Sequence, residues 1–279
     1  MLLDQTIEKL NALKLYGMRD ALAEQSEQPA YADLSFEERL GMLVDREWAD
    51  KEGRKYARRI KAAKLKMDAT LEGIDYRSGR GLDASLIRSL SDGHFISSAS
   101  GVIITGSTGT GKTYISCALA ERAVRLGHSA FYVRAPRLFE SMRLARADGS
   151  IIRYLAKLGR ADVLVIDDFG LAPLTEAERR DLLEVVEEKH GSGSVVMASQ
   201  LPVASWHELI GEPTLADAIL DRLVHCSYRI DLKGPSMRKR DRKKQAQKGD
   251  GQWAYGTTPT WATPATGAAS PEPLCAANG

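Results

Sequence analysis

Gly106-Ser107-Thr108-Gly109-Thr110-Gly111-Lys112-Thr113 follows the β-branched run Val102–Thr105 and opens the helical pattern Lys112–Arg125. A glycine-rich turn in that setting has a specific use. Glycine allows the backbone to bend tightly and aim its N–H groups at phosphate oxygens, and the helix N-terminus adds a favourable field for the anion. The segment therefore reads as a phosphate cradle, with Lys112 expected on the β- and γ-phosphates of ATP and the Thr113 hydroxyl on a magnesium ion. The alternative is a structural turn whose lysine faces solvent.

Outward from this segment, short apolar runs alternate with helical stretches. Strands are expected at Val102–Thr105, Ala130–Val133, Val163–Asp167, Ser194–Ser199 and Tyr228–Leu232. Helices are expected at Lys112–Arg125, Leu138–Ala147 with Ile151–Leu158, Glu176–His190 and Leu215–Val224. That alternation predicts an α/β fold, a parallel sheet covered on both faces that offers ligands the carboxyl ends of its strands.

Two further strand ends carry chemistry. Val163-Leu164-Val165-Ile166 runs into Asp167-Asp168, which places both acids at the edge where the cradle lies. Asp167 is expected to hold magnesium through water, and Asp168 to orient or deprotonate the attacking water; a turn or cap role is the alternative for Asp168. Asp168-Phe169-Gly170 also occurs in protein kinases, but the preceding cradle and the lack of a His-Arg-Asp segment exclude that class. The strand Ser194–Ser199 ends on Ser199-Gln200, either of which is placed to sense the γ-phosphate, though strands often end on polar residues.

The first third is helical in pattern. Ile7, Leu10, Leu13, Leu15, Met18 and Leu22 predict one helix, and the capping-box form of Ser35-Phe36-Glu37-Glu38 predicts a second that runs to about Lys66. The stretch Tyr76–Gly81, polar with two glycines, reads as a linker. Domains are thus expected at 1–70, 71–235 and 236–279, the last a basic tail too poor in apolar residues beyond Gly249 to order.

Charge is uneven although the net value is +2. Arg46–Lys66 holds nine Lys/Arg against three Asp/Glu and Arg238–Lys248 seven against one, which leaves the remainder at −10. In the first patch, Arg54, Lys55, Arg58, Arg59, Lys61, Lys64 and Lys66 are candidates for contacting the phosphates of a nucleic acid without reading its bases; a solvated helix face is the alternative. The second patch would add phosphate contacts or serve as a solubilising end. Cys117, Cys226 and Cys275 have neither zinc nor disulfide spacing; Cys117 on a helix and Cys226 beside a strand read as buried thiols, and His225 beside Cys226 is weak evidence for metal. No apolar run is long enough to span a membrane, and no secretory leader precedes the first helix, so a soluble cytoplasmic protein is expected.

With these motifs in hand, residues 5 to 245 resemble the IstB-like ATPases, AAA+ helpers of insertion-sequence transposases, and more distantly the DnaC-type helicase loaders. The likeness rests on Leu10–Met18, Leu34–Leu40, Ala62–Lys66, Asp167–Gly170, Ser199–Pro202, Trp206–Glu208 and Asp221-Arg222-Leu223. It implies an AAA+ P-loop core preceded by a small all-helical N-terminal domain. It also implies ATP-dependent self-assembly on duplex DNA, a partner transposase, and Asp168 where most AAA+ proteins carry Glu. Arg222, by itself a surface ion-pair residue, would in such an oligomer reach a neighbour's ATP. Two departures stand out. Ser107-Thr108 replaces a more usual Pro-containing pair, and after Leu232 no apolar periodicity supports a full helical lid, which weakens Arg238 as a second sensing arginine. A helicase loader and a non-hydrolysing DNA scaffold are the competing functions.

Overall fold

β-Branched runs build the sheet, and helical patterns on either side supply its covers. In the computed structural model, which describes residues 2–76 and 79–237, the strands are β1 (Gly101–Gly106), β2 (Ala130–Arg134), β3 (Val163–Phe169), β4 (Ser194–Ser199) and β5 (Ser227–Leu232). They pair in parallel in the order β2-β3-β4-β1-β5. The helices are α1 (Leu2–Ala12), α2 (Tyr16–Glu27), α3 (Phe36–Ala63), α4 (Ala84–Ser91), α5 (His94–Ser97), α6 (Lys112–Arg125), α7 (Ala135–Ala147), α8 (Ile151–Gly159), α9 (Glu176–Lys189), α10 (Trp206–Ile210) and α11 (Pro213–Val224).

Strand alternation divides the core into two layers. Val102, Ile104, Val163, Val165 and Val196 pack with α6 and the segment around Ala69–Ile74. Ile103, Leu164, Ile166 and Met197 point the other way, into α7, α9 and α11. Burial on both faces is why these strands read as continuous apolar runs. Fully burying each such side chain contributes about 1.5–3 kcal/mol. No helix of the described residues is long and apolar enough to cross a membrane.

The expected strands and the main helices of the sheet domain appear within a few residues of their predicted ends. The first expected helix, however, is two. Lys14 takes a left-handed φ of 59° and the Leu15 N–H returns to the Leu10 carbonyl, so the chain turns before α2. Gly17 then permits close approach to α3, where a Cβ would lie 2.7 Å from the Glu47 Cα. α3 begins as its capping box dictates, with Glu38 N–H donating to Ser35 Oγ and Ser35 N–H to Glu38 Oε2. The turn-rich stretch before β1 holds α4, capped by Asp83, which the pattern reading passed over.

Two expectations need correction. Arg80, in the expected linker, is buried. Cys226 is exposed, because it lies on the turn that returns α11 to the sheet; Cys117 is buried as expected. Cys275, the basic tail, Arg238 and the expected disorder beyond Gly249 lie outside the described residues.

Candidate nucleotide-binding site

β1 has β4 on one side, and β3 lies next beyond it. The carboxyl ends of these three strands therefore set the cradle, Ser199-Gln200 and Asp167-Asp168 side by side. Gly106 and Gly111 have φ of 145° and 102°, values closed to most side chains. A Cβ at Gly111 would lie 2.9 Å from Arg80 Nη1. The Lys112 ammonium, buried at 7% exposure, folds back to the carbonyls of Gly106 (2.7 Å) and Ser107 (2.9 Å). It thus stands inside the loop, with the N–H groups that would face phosphate.

Asp167 is fully buried and its oxygens are engaged. Oδ2 accepts from Thr113 Oγ1 at 2.8 Å and from the Tyr132 hydroxyl at 2.7 Å, while Oδ1 accepts from the Asp168 N–H at 2.9 Å. Burial first, and then the Asp167 carboxylate, push the Tyr132 hydroxyl far above the ordinary phenol range, which keeps it a donor. Thr113 and Asp167 thus meet, as a magnesium site would require. Among the described residues no cluster of three His, Cys, Asp or Glu could hold a metal. A magnesium ion there would draw most of its ligands from phosphate and water, which suits that ion.

Asp168 sits in a bulge. Between Ile166↔Met197 and Phe169↔Ser199 the register shifts, and Asp168 takes a φ of 57°. This αL conformation is uncommon outside glycine but tolerated by Asp, and the bulge re-aims the side chain. Its Oδ2 accepts from Arg134 Nε at 2.6 Å. That hydrogen bond, with the attraction of the carboxylate, raises the Arg134 pKa further.

The next strand end separates its two candidates. Ser199 is fully buried, donating to the Phe169 carbonyl at 2.8 Å and accepting from the Leu201 N–H at 3.1 Å. Gln200 is exposed, and its Oε1 accepts from Thr108 Oγ1 at 2.8 Å, at the tip of the cradle.

Arg222 lies at the opposite edge, in a recess with Gly101, Gly193 and Val195, where β1 and β4 begin. It donates to the Ala218 carbonyl at 2.9 Å and pairs with Glu187 at 3.2 Å. Of the basic cluster, Arg54 pairs with Glu47 and Lys55 with Glu52, whereas Arg58, Lys61 and Lys64 are exposed with no ion pair among the described residues. Arg59 is half-buried, and Lys66 reaches toward Asp167.

Three residues of this site escaped the sequence reading. Tyr132 and Arg134 were findable in principle, since in-register parallel pairing sets Arg134 beside Asp167 and Tyr132 on the same face. Arg80 carried no signal. Its Nη1 donates to the Thr110 carbonyl at 3.2 Å, its Nη2 to the Asp75 carbonyl, and its own carbonyl accepts from the Lys233 N–H at 2.7 Å. The Met237 N–H donates to the Gly109 carbonyl at 2.8 Å, so the chain after β5 closes the other side of the loop.

Residues 8–246 match the family described as IstB-like ATP binding protein. The chain belongs to that family. It is 46% identical over 244 residues to an insertion sequence ATP-binding protein, y4pL, of Sinorhizobium fredii (strain NBRC 101917 / NGR234), covering 88% of this chain and all of that one. It is 31% identical over 235 residues to the ATP-binding protein of insertion sequence IS21 from Pseudomonas aeruginosa, covering 84% and 89%. Among solved structures, the replication initiator DnaA bound to AMPPCP and single-stranded DNA has a TM-score of 0.52 at 17% identity, covering 67% of this chain and 57% of DnaA. DnaI has a TM-score of 0.50 at 20% identity, covering 61% and 96%. The likeness to those structures is one of fold, and it is the AAA+ P-loop fold. This IstB-like chain is thus an ATP-binding AAA+ protein of the insertion-sequence type.

Proposed function

We propose that this IstB-like protein hydrolyses ATP with magnesium, assembles on duplex DNA through ATP-bridged contacts between copies, and assists a partner transposase. The observation that carries this reading is the meeting of Thr113 and Asp167 at 2.8 Å beneath the glycine cradle. Residues 1–70 would serve as a helical DNA-binding and assembly domain, 71–235 as the ATPase domain, and 236–279 as a basic tail. Cytoplasmic location fits such a role.

Lys112 would neutralise the β- and γ-phosphates, and the N–H groups of residues 106–113 would orient them. Thr113 and Asp167 would hold magnesium, which when bound supplies charge neutralisation for the transferring phosphoryl group. Asp168 would take a proton from water as its oxygen bonds to the γ-phosphorus and the bond to the β-phosphate oxygen breaks. Arg134 holds Asp168 Oδ2 at 2.6 Å, and its withdrawal would free that oxygen for the water. Gln200, rather than the buried Ser199, would report the γ-phosphate to the rest of the sheet. Arg222 faces away from its own cradle, so any contact with ATP requires a second subunit.

Exposed Arg58, Lys61 and Lys64 support phosphate contacts without base reading. Duplex binding by the full chain should therefore weaken steeply with salt, and Arg58→Glu with Arg59→Glu should cut affinity by about tenfold or more at low salt while ATP binding holds. Unchanged duplex affinity in that variant would refute the assignment. Co-purification with a replicative helicase hexamer and no transposase would favour the loader function instead.

A further inference from the structure

Helix α3 carries the basic cluster and ends against the ATPase core. Ala63 is fully buried, and Lys64 takes a φ of 53° that turns the chain out of the helix. The following segment is fastened to α6. The Tyr114 hydroxyl donates to the Thr70 carbonyl at 3.3 Å, and Ala69 and Leu71 are buried. About two turns before the end of α3 the Tyr56 hydroxyl donates to Glu121 Oε1 at 2.7 Å, which ties α3 itself to α6.

From this anchored backbone the Lys66 ammonium reaches to 3.9 Å from Asp167 Oδ2. That is the oxygen that also accepts from Thr113 and Tyr132. At 3.9 Å the contact is Coulombic, with no hydrogen bond to fix its geometry. Lys66 is 37% exposed and Asp167 0%, so the ammonium stands at the mouth of the site with room to swing outward. It is also the last cation of the basic cluster, after the exposed Arg58, Lys61 and Lys64.

We infer that Lys66 is a positioning residue shared by the two sites: its ammonium alternates between the Asp167 carboxylate and a DNA phosphate beside α3, and so couples them. This rests on the reading of Asp167 as the magnesium-holding acid. A divalent cation and the ammonium compete for one carboxylate, so Lys66 gives way when the metal–nucleotide pair is bound and its charge joins the DNA-facing set. By linkage the coupling is reciprocal: duplex DNA that holds Lys66 outward favours the metal–nucleotide pair by the same factor.

The test uses the full chain, a fluorescent non-hydrolysable ATP analogue, magnesium titration and a labelled duplex at low salt. In Lys66→Met, half-maximal magnesium-dependent binding of the analogue, measured without DNA, should fall to on the order of fivefold less magnesium. The ratio of duplex Kd without and with the magnesium–analogue pair should drop toward one. Lys66→Arg keeps the charge and should restore both values toward the wild type. An unchanged magnesium midpoint in Lys66→Met overturns the inference whatever the DNA result. A wild type that binds the analogue but no duplex overturns the DNA reading, and the midpoint still decides whether Lys66 competes at Asp167.

Discussion

The sheet and the N-terminal helices are held by different physics. In β3, Val163 to Ile166 are all at 0% exposure, and α6 buries ten of its 14 residues. In contrast, α3 buries two of 28, Glu47 and Ala63, and α1 buries none. The phosphate cradle therefore rides on close-packed apolar layers, which fix its geometry. The helices that carry the basic cluster hang on a few polar anchors. One is Glu47, whose carboxylate accepts from the N–H groups of Gly17 (2.8 Å) and Met18 (3.2 Å) at the start of α2. An element fixed at points can shift without disturbing a core, which suits the DNA-binding role proposed for it.

Three substitutions would break or sharpen this contrast in urea unfolding of the full chain. The largest effect is expected at Leu164→Ala, about 2–5 kcal/mol, because a cavity opens between β3 and the α7–α9 layer. A loss below about 1 kcal/mol would mean the sheet is not the dominant core. Glu47→Gln should cost less, about 1–2 kcal/mol, and loosen α2 from α3 while ATP binding stays intact. Burial opposes ionisation of Glu47, but the Met18 N–H, Lys51 and the Gly17 N–H outweigh it and hold the carboxyl below the usual Glu range. With the folded pKa depressed, this contribution is present above the unfolded value of about 4.3 and is lost as pH falls through the folded one. Protection of the α2 amides, relative to their intrinsic exchange rate at each pH, should therefore fall in acid, and an equal fall in Glu47→Gln would contradict the anchor. The smallest effect belongs to Trp48→Ala, within about 0.5 kcal/mol, since Phe36, Leu40, Val44 and Trp48 lie 73%, 40%, 50% and 68% exposed along α3.

The same contrast explains what the sequence could tell. Strands buried on both faces announce themselves as β-branched runs, and the residues that end them fall at one edge, so Thr113 and Asp167 were legible as partners before any coordinates. The capping box at Ser35 marked the start of α3 because its hydrogen bonds are local. The turn at Lys14 left no Gly or Pro to mark it. The contacts of Arg80 with the cradle and of Lys66 with Asp167 were missed for a related reason. A long side chain that crosses to another element leaves no periodic trace, and Lys66 looked like one more cation of a basic helix.

The most direct measurement is steady-state phosphate release by the full chain, with and without duplex DNA at low salt. Duplex DNA is expected to raise release, and Asp168→Asn to lower it by about 10²–10⁴-fold while the fluorescent ATP analogue still binds. Release that persists undiminished in Asp168→Asn, or a wild type that binds ATP on DNA and releases no phosphate, would contradict an ATPase driven from this site.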